Sequence, residues 1–230
     1  MRELIQATGM VISASPVGDY DKRLVILTKE RGKITCFARG AKRAASQLRA
    51  PCRPFVFGVF SLSEGRDAYN LYGAEVENYF DELASDMECA CYASYFAEFA
   101  GYYGRENVDE SETIRLLYQS FRALLKPAIP NRLVRRIFEL RLMAIQGEYR
   151  EAPDRKISDS SLYAWQFVIS TPIEKLYTFL LTEPVFEELR DSGCMVLVST
   201  HMIDSMEELW DTTYIMKQGR VAAVVERENL

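Results

Sequence analysis

The only histidine of the 230-residue chain, His201, follows an apolar run, Val196-Leu197-Val198, through Ser199-Thr200. An imidazole at the end of an apolar strand can sense a phosphate, but phosphoryl transfer depends almost wholly on positioning magnesium, water and phosphates together. A phosphate-cradling loop needs G-x-x-x-x-G-K-[ST], whose glycines let backbone N–H groups approach and whose lysine reaches the charge. The nearest candidate, Gly32-Lys33-Ile34-Thr35, has no hydroxyl directly after the lysine and has Leu27 where the first glycine is required. No apolar strand ends in an aspartate–glutamate pair, and neither an L-S-G-G nor a G-x-S-x-G motif is present. The expectation is a protein without catalytic residues, and His201 reads as a capping or packing residue.

The stronger signal is charge. From Lys22 to Arg53 there are ten basic residues, Lys22, Arg23, Lys29, Arg31, Lys33, Arg39, Lys42, Arg43, Arg49 and Arg53, against one acid, Glu30. Cations clustered on one connected segment suit a polyanion, because each phosphate they neutralise releases counterions. Phe37, Phe55, Phe57, Tyr69 and Tyr72 are interleaved with them. Aromatic faces can stack unpaired bases, and Phe37 is the aromatic assigned to the site. Two plainer readings stand beside this: a solvated surface for the charges and core packing for the rings.

A second basic group, Arg132, Arg135, Arg136 and Arg141, lies in a helical stretch, with the first three on one face at i, i+3 and i+4. Pairing with Glu139 and neighbouring acids is one reading of it. The five cysteines contain no C-x-x-C pair, and Cys89 and Cys91, two apart in a helix, point to different faces. No metal site and no cofactor is expected. The aromatic run Tyr92, Tyr95, Phe96, Phe99, Tyr102 and Tyr103 recurs at helical spacing, which is the mark of a packed core.

The elements that must position these residues have two textures. Residues 4–76 read as five short strands, with turns at Lys29-Glu30-Arg31-Gly32 and Glu64-Gly65-Arg66. That count and length suit a five-stranded Greek-key barrel of the OB type. From Phe80 the periodicity becomes helical: a first helix from Asp81, a second opening at Ser111-Glu112, and a third from Pro130 to Gly147. A polar linker, residues 148–161, leads to two more helices divided at Thr171-Pro172. Near the end, Cys194–Thr200 and the two sides of Lys217-Gln218-Gly219-Arg220 read as strands.

The fold class is therefore α+β and multidomain: an OB barrel over 1–79, an all-helical domain over 80–183, and a tail over 184–230 containing a β-hairpin. Composition is that of an ordinary globular protein, 48% hydrophobic and 27% charged. The net charge of −5 divides into +4 for residues 1–80 (12 basic, 8 acidic) and −9 for the rest (16 basic, 25 acidic). No apolar leader and no run of about 18 apolar residues is found, so a cytoplasmic protein without a membrane partner is expected.

The stretch from Gly9 to Leu62 resembles the N-terminal domain of the RecO family of bacterial recombination mediators. The likeness is carried by Asp21-Lys22-Arg23-Leu24-Val25, by Gly32-Lys33-Ile34 leading to Ala38-Arg39-Gly40-Ala41-Lys42-Arg43, and by Ser46-Gln47-Leu48-Arg49-Ala50-Pro51 before Pro54-Phe55. Residues 138–149 and 161–179 resemble the family's helical domain, so the likeness runs from Met1 to about Glu183. It implies binding of single- and double-stranded DNA, strand annealing, and loading of RecA with RecR and single-strand binding protein, in a bacterial cytoplasm near the nucleoid. It also offers a second reading of Arg132, Arg135 and Arg136, as a dock for the acidic tail of single-strand binding protein. Many relatives carry two C-x-x-C pairs after the third helix, but residues 147–161 contain no cysteine, so no zinc ribbon is carried over.

From about Pro184 the chain instead resembles the end of an ABC ATPase nucleotide-binding domain, including Ser199-Thr200-His201 and Gly219-Arg220. This tail reads as transplanted, non-catalytic and dispensable. The alternative it raises is an ATP-binding subunit that uses His201 with a partner's P-loop. A third reading is an OB-helical scaffold that binds only proteins.

Overall fold

The protein is described from a computed structural model that places residues 4–148, 159–177, 212–217 and 220–226. Five strands, β1 (Ile5–Val17), β2 (Asp21–Thr28), β3 (Gly32–Ala38), β4 (Phe57–Glu64) and β5 (Tyr69–Asn78), close into a barrel in the order β1-β2-β3-β5-β4. β1 closes it by serving two neighbours: Ile5–Met10 pair with β4 and Gly9–Val17 with β2, both antiparallel. At the crossover a side chain would not fit, since a Cβ on Gly9 would lie 2.3 Å from the Leu27 carbonyl oxygen. β3 and β5 meet in a short parallel pairing, Cys36 opposite Tyr69 and Phe37 opposite Asn70. This is the expected OB arrangement.

Period-two alternation divides β1, β2 and β4 between two cores. Inside the barrel, Val11, Leu24, Ile26, Ile34, Cys36, Phe60, Leu62 and Leu71 fill the lumen. On its outer surface Met10, Leu27 and Phe57 join a second core built mostly from helices. The helices are α1 (Met87–Tyr103), α2 (Ser111–Leu124), α3 (Asn131–Ile145) and α4 (Asp159–Ser170). Rings bind the two parts together: Phe57 and Phe80 pack on Tyr118, and Phe55 and Phe80 meet Phe121 edge-on at 5.2 and 5.3 Å. Deeper in the helices, Phe96 stacks on Phe138 at 4.3 Å.

Three boundaries differ from the sequence expectation. Asp81–Ser85 forms a 3-10 turn rather than the start of α1, because Asp86 is extended and its carboxylate accepts the Cys89 N–H at 2.8 Å, capping the helix there. α4 begins at Asp159, inside the stretch expected to be linker, and ends before Pro172. After that proline the described chain makes only the short turn Ile173–Lys175; the rest of the expected helix lies outside the described residues, as do Cys194–Thr200 and His201.

The chain divides into two compact units, 1–194 and 195–230. In the second, β6 (Thr212–Lys217) and β7 (Arg220–Glu226) pair antiparallel, as expected from the turn residues between them. Among the described residues no helix is long and apolar enough to cross a membrane.

Candidate nucleic-acid interface

Register places the outward residues of the barrel in rows. Ser15, Arg23 and Phe37 stand side by side across β1, β2 and β3, and Phe37 continues to Asn70 on β5. Neighbouring strands lie about 5 Å apart, so an exposed guanidinium adjoins a half-buried ring on the outer face of β2 and β3. In OB barrels this face, with the β1–β2 and β4–β5 turns, is the surface that takes oligonucleotides.

The loop joining β3 to β4, residues 39–56, supplies most of the charge beside it. Arg43 N–H donates to Gly40 O at 3.0 Å, Ser46 N–H to Arg43 O at 3.0 Å, and Arg49 N–H to Ser46 O at 3.2 Å. These three linked turns fold the loop compactly, with Arg43 and Arg49 exposed and Ser46 half-buried. Ala41, Leu48, Cys52 and Val56 on the other side pack into the barrel core and hold the loop down. Arg39, Lys42, Arg43 and Arg49 are exposed, and no acid occurs between Glu30 and Glu64.

The β1–β2 turn is tied to this loop. Lys42 N–H donates to Tyr20 O at 2.9 Å, Lys42 Nζ to Gly18 O at 3.2 Å, and Gly40 N–H to Asp21 Oδ1 at 2.8 Å. The Arg43 guanidinium sits over the Tyr20 ring at 4.9 Å. Tyr20 did not emerge from the sequence, although its place in a Gly-Asp-Tyr-Asp turn before a basic strand was a usable signal.

The ten cations do not share one surface. Lys22, near the start of β2, and Lys29, just past its end, are about 23 Å apart at a rise of about 3.3 Å per residue. At the far end the hairpin turn meets the helices: Lys33 N–H donates to Arg105 O at 3.0 Å, Asn107 N–H to Arg31 O at 2.9 Å, and Glu110 N–H to Lys29 O at 3.3 Å. Lys33 Nζ donates to Gly101 O at 2.7 Å near the end of α1, and Arg31 pairs with Glu64 at 3.1 Å. Lys29 lies over Phe57 at 5.9 Å.

Elsewhere, Lys22 Nζ donates to Cys52 O at 2.8 Å, and Arg53 pairs with Asp81 at 2.8 Å while covering Tyr79 at 5.3 Å. The β4–β5 turn borders a cleft of about 290 Å³ whose lining includes Glu64, Asp67 and Glu106 beside Arg66. Carboxylates at that mouth disfavour phosphate. The cationic surface therefore consists of Arg23, Arg39, Lys42, Arg43 and Arg49.

The interleaved aromatics divide similarly. Phe55 and Phe57 belong to the core between barrel and helices, and the Tyr69 hydroxyl accepts from Arg31 at 3.4 Å. On α3, Arg135 is buried: its Nε donates to Glu139 Oε1 at 2.7 Å, and Tyr95 Oη donates to the same oxygen at 2.6 Å. For Arg135 the structure gives the pairing with Glu139 rather than a dock, while Arg132 on the same helix is exposed and Arg136 half-buried.

Cys36, Cys52 and Cys89 are buried, and Cys91 is half-buried. Burial pushes Cys36 up to about 12, with Cys52 adding to it, and Cys52 up to about 11 against the pull of Lys22. Neither thiol is a nucleophile near neutral pH.

Residues 1–80 match the family described as Recombination protein O N terminal. The match takes in the whole barrel, with the β1–β2 turn and the basic loop, and ends just past β5. A DNA repair protein RecO of Alkaliphilus metalliredigens (strain QYMF) is 33% identical over 144 residues, 63% of this chain and 58% of its own. One of Desulforudis audaxviator (strain MP104C) is 35% identical over 144 residues, 62% and 56% of the two chains. The match to the RecO of Clostridium perfringens (strain 13 / Type A) runs further, 29% identity over 233 residues, 86% of this chain and 93% of the relative. Two of these three alignments thus span less than two thirds of the relative, and the surface built above lies in the part matched as RecO N-terminal domain.

Proposed function

We propose that this protein works in DNA repair as a recombination mediator that performs no covalent chemistry. The observation carrying this reading is the acid-free loop 39–56, whose exposed Arg39, Lys42, Arg43 and Arg49 stand beside the outer face of β2 and β3. The similarity to proteins named DNA repair protein RecO supports it.

In this reading the loop captures single- or double-stranded DNA by phosphate neutralisation, with affinity dominated by counterion release. Two complementary strands held on such surfaces repel less, which favours annealing. Exchange of single-strand binding protein, with Arg132 and Arg136 as cations of the helical domain, and RecA loading with RecR complete the proposal.

The test is fluorescence anisotropy of labelled oligonucleotides over a range of salt concentrations, comparing the wild type with the combined Arg39→Ala, Lys42→Ala, Arg43→Ala, Arg49→Ala variant. The wild type should bind single strands with a steep salt dependence. The variant should bind weakly whatever the sequence, its log–log slope reduced by about 0.7 per lost phosphate contact. An unaltered slope removes the loop from the interface. Adding Mg-ATP should change nothing; a response to it would favour the ATP-binding alternative.

A further inference from the structure

We propose that Tyr20 and Arg43 form a seat for one unpaired base, giving the basic loop a preference for single strands over duplex. This rests on the DNA-binding reading above and adds to it a discriminating residue. Tyr20 is 55% exposed although it lies in a tightly fastened turn. Its own carbonyl accepts from Lys42 N–H at 2.9 Å, and the Gly18 carbonyl two residues before it accepts from Lys42 Nζ at 3.2 Å. The next residue, Asp21, holds Gly40 N–H at 2.8 Å. The backbone of the turn that carries the ring is thus fastened to the same loop that carries the cations.

Arg43 lies over the ring at 4.9 Å in a cation–π arrangement, and more than half of Tyr20 remains open to solvent, room for a flat group to reach the ring. A flat aromatic group arriving there stacks on the ring, while Arg39, Lys42 and Arg43 supply the field for the adjoining phosphates. Base faces in a duplex are covered by their neighbours and cannot reach such a seat; those of a single strand can. Tyr79 under Arg53 shows what distinguishes the site: the same stack occurs there at 5.3 Å, but Arg53 is also paired with Asp81 at 2.8 Å and the ring is only 38% exposed. That second stack is electrically balanced and offers a phosphate little.

The experiment measures affinity of wild type, Tyr20→Ala and Tyr20→Phe for three probes: a single-stranded oligonucleotide, an abasic oligomer of equal charge, and a duplex, all at one salt concentration. In Tyr20→Ala the ratio of single-strand to duplex affinity should fall by about 5- to 140-fold, as expected for one stacked base. The ratio of single-strand to abasic affinity should fall with it, and Tyr20→Phe should keep both ratios. Equal losses on all three probes, or no loss on any, would overturn the seat while leaving the DNA-binding reading in place. A wild-type protein that binds none of the probes would sink both. Thermal melting of each variant separates a lost contact from a lost fold.

Discussion

Arg135 and Glu139 face each other at 2.7 Å in the interior of the helical domain, each less than a tenth exposed. Tyr95 donates to the same carboxylate oxygen from α1, and the guanidinium lies 5.2 Å from the centre of its ring. A pair one turn apart on α3 is thereby tied to a second helix. Burial pushes the Tyr95 phenol well above its ordinary range, reinforced by the adjacent carboxylate. Removing one member leaves the other charge without its partner, so Glu139→Ala should cost about 3–5 kcal/mol. Urea unfolding followed by circular dichroism checks this; a loss under about 1 kcal/mol would mean that water reaches the charge.

The hairpin turn should be silent in DNA binding. Lys29→Ala combined with Arg31→Ala removes two positive charges, but these lie beside Phe57 and Glu64 at the end docked to the helices. Affinity should change by less than about threefold, with the salt slope unaltered, as expected where no phosphate is contacted. A slope reduced by more than about 1 would return this end of the barrel to the interface.

Gly32 has a φ of +64°, and a Cβ there would lie 1.9 Å from the Arg105 carbonyl oxygen. Gly32→Ala therefore both strains the turn and pushes away the segment that bridges barrel and helices. We expect a destabilisation well above about 1 kcal/mol, read as a lower urea midpoint by circular dichroism. A neutral substitution would show that residues 104–108 can move aside at no cost.

Stability should decline on the alkaline side. Cys36 and Cys52 are pushed up to about 12 and about 11, chiefly by burial, and burial also raises the Tyr95 and Tyr177 phenols. Ordinary thiols titrate near 8.5. Above about pH 9 the unfolded chain sheds protons that the folded chain keeps, so the folded state loses ground as pH rises. The contribution is fully present below about pH 8 and fades toward 11 and beyond. Urea midpoints at pH 8, 9.5 and 10.5 should fall in that order, and Cys36→Ala with Cys52→Ala should flatten the fall. A level profile in the wild type would contradict the assigned burial.

The barrel was legible in the sequence because its turns are written in turn residues: Gly32 closes the β2–β3 hairpin and Gly65 marks the β4–β5 turn. The helices were legible from their periodicity, though not where Asp86 caps α1. The basic cluster was visible as a composition, but not its division between a docked end and an open end. That depends on residues 104–110 reaching back across more than seventy positions to Lys29, Arg31 and Lys33, which no local pattern encodes. Arg135 shows the opposite case. Its partner Glu139 stood in plain view at i+4, yet only the docking of α1 with Tyr95 decides that the pair turns inward.

Ile5 pairs with Leu62, and Met10 with Phe57. β1 precedes β4 in the chain and thus finds one of its two neighbours only after β4 has been synthesised. At about 5–20 residues per second, the nascent chain spends several seconds with half of β1 unpartnered. Chaperone capture or premature pairing with another chain would be concentrated in that interval, and slow codons placed before β4 would lengthen it.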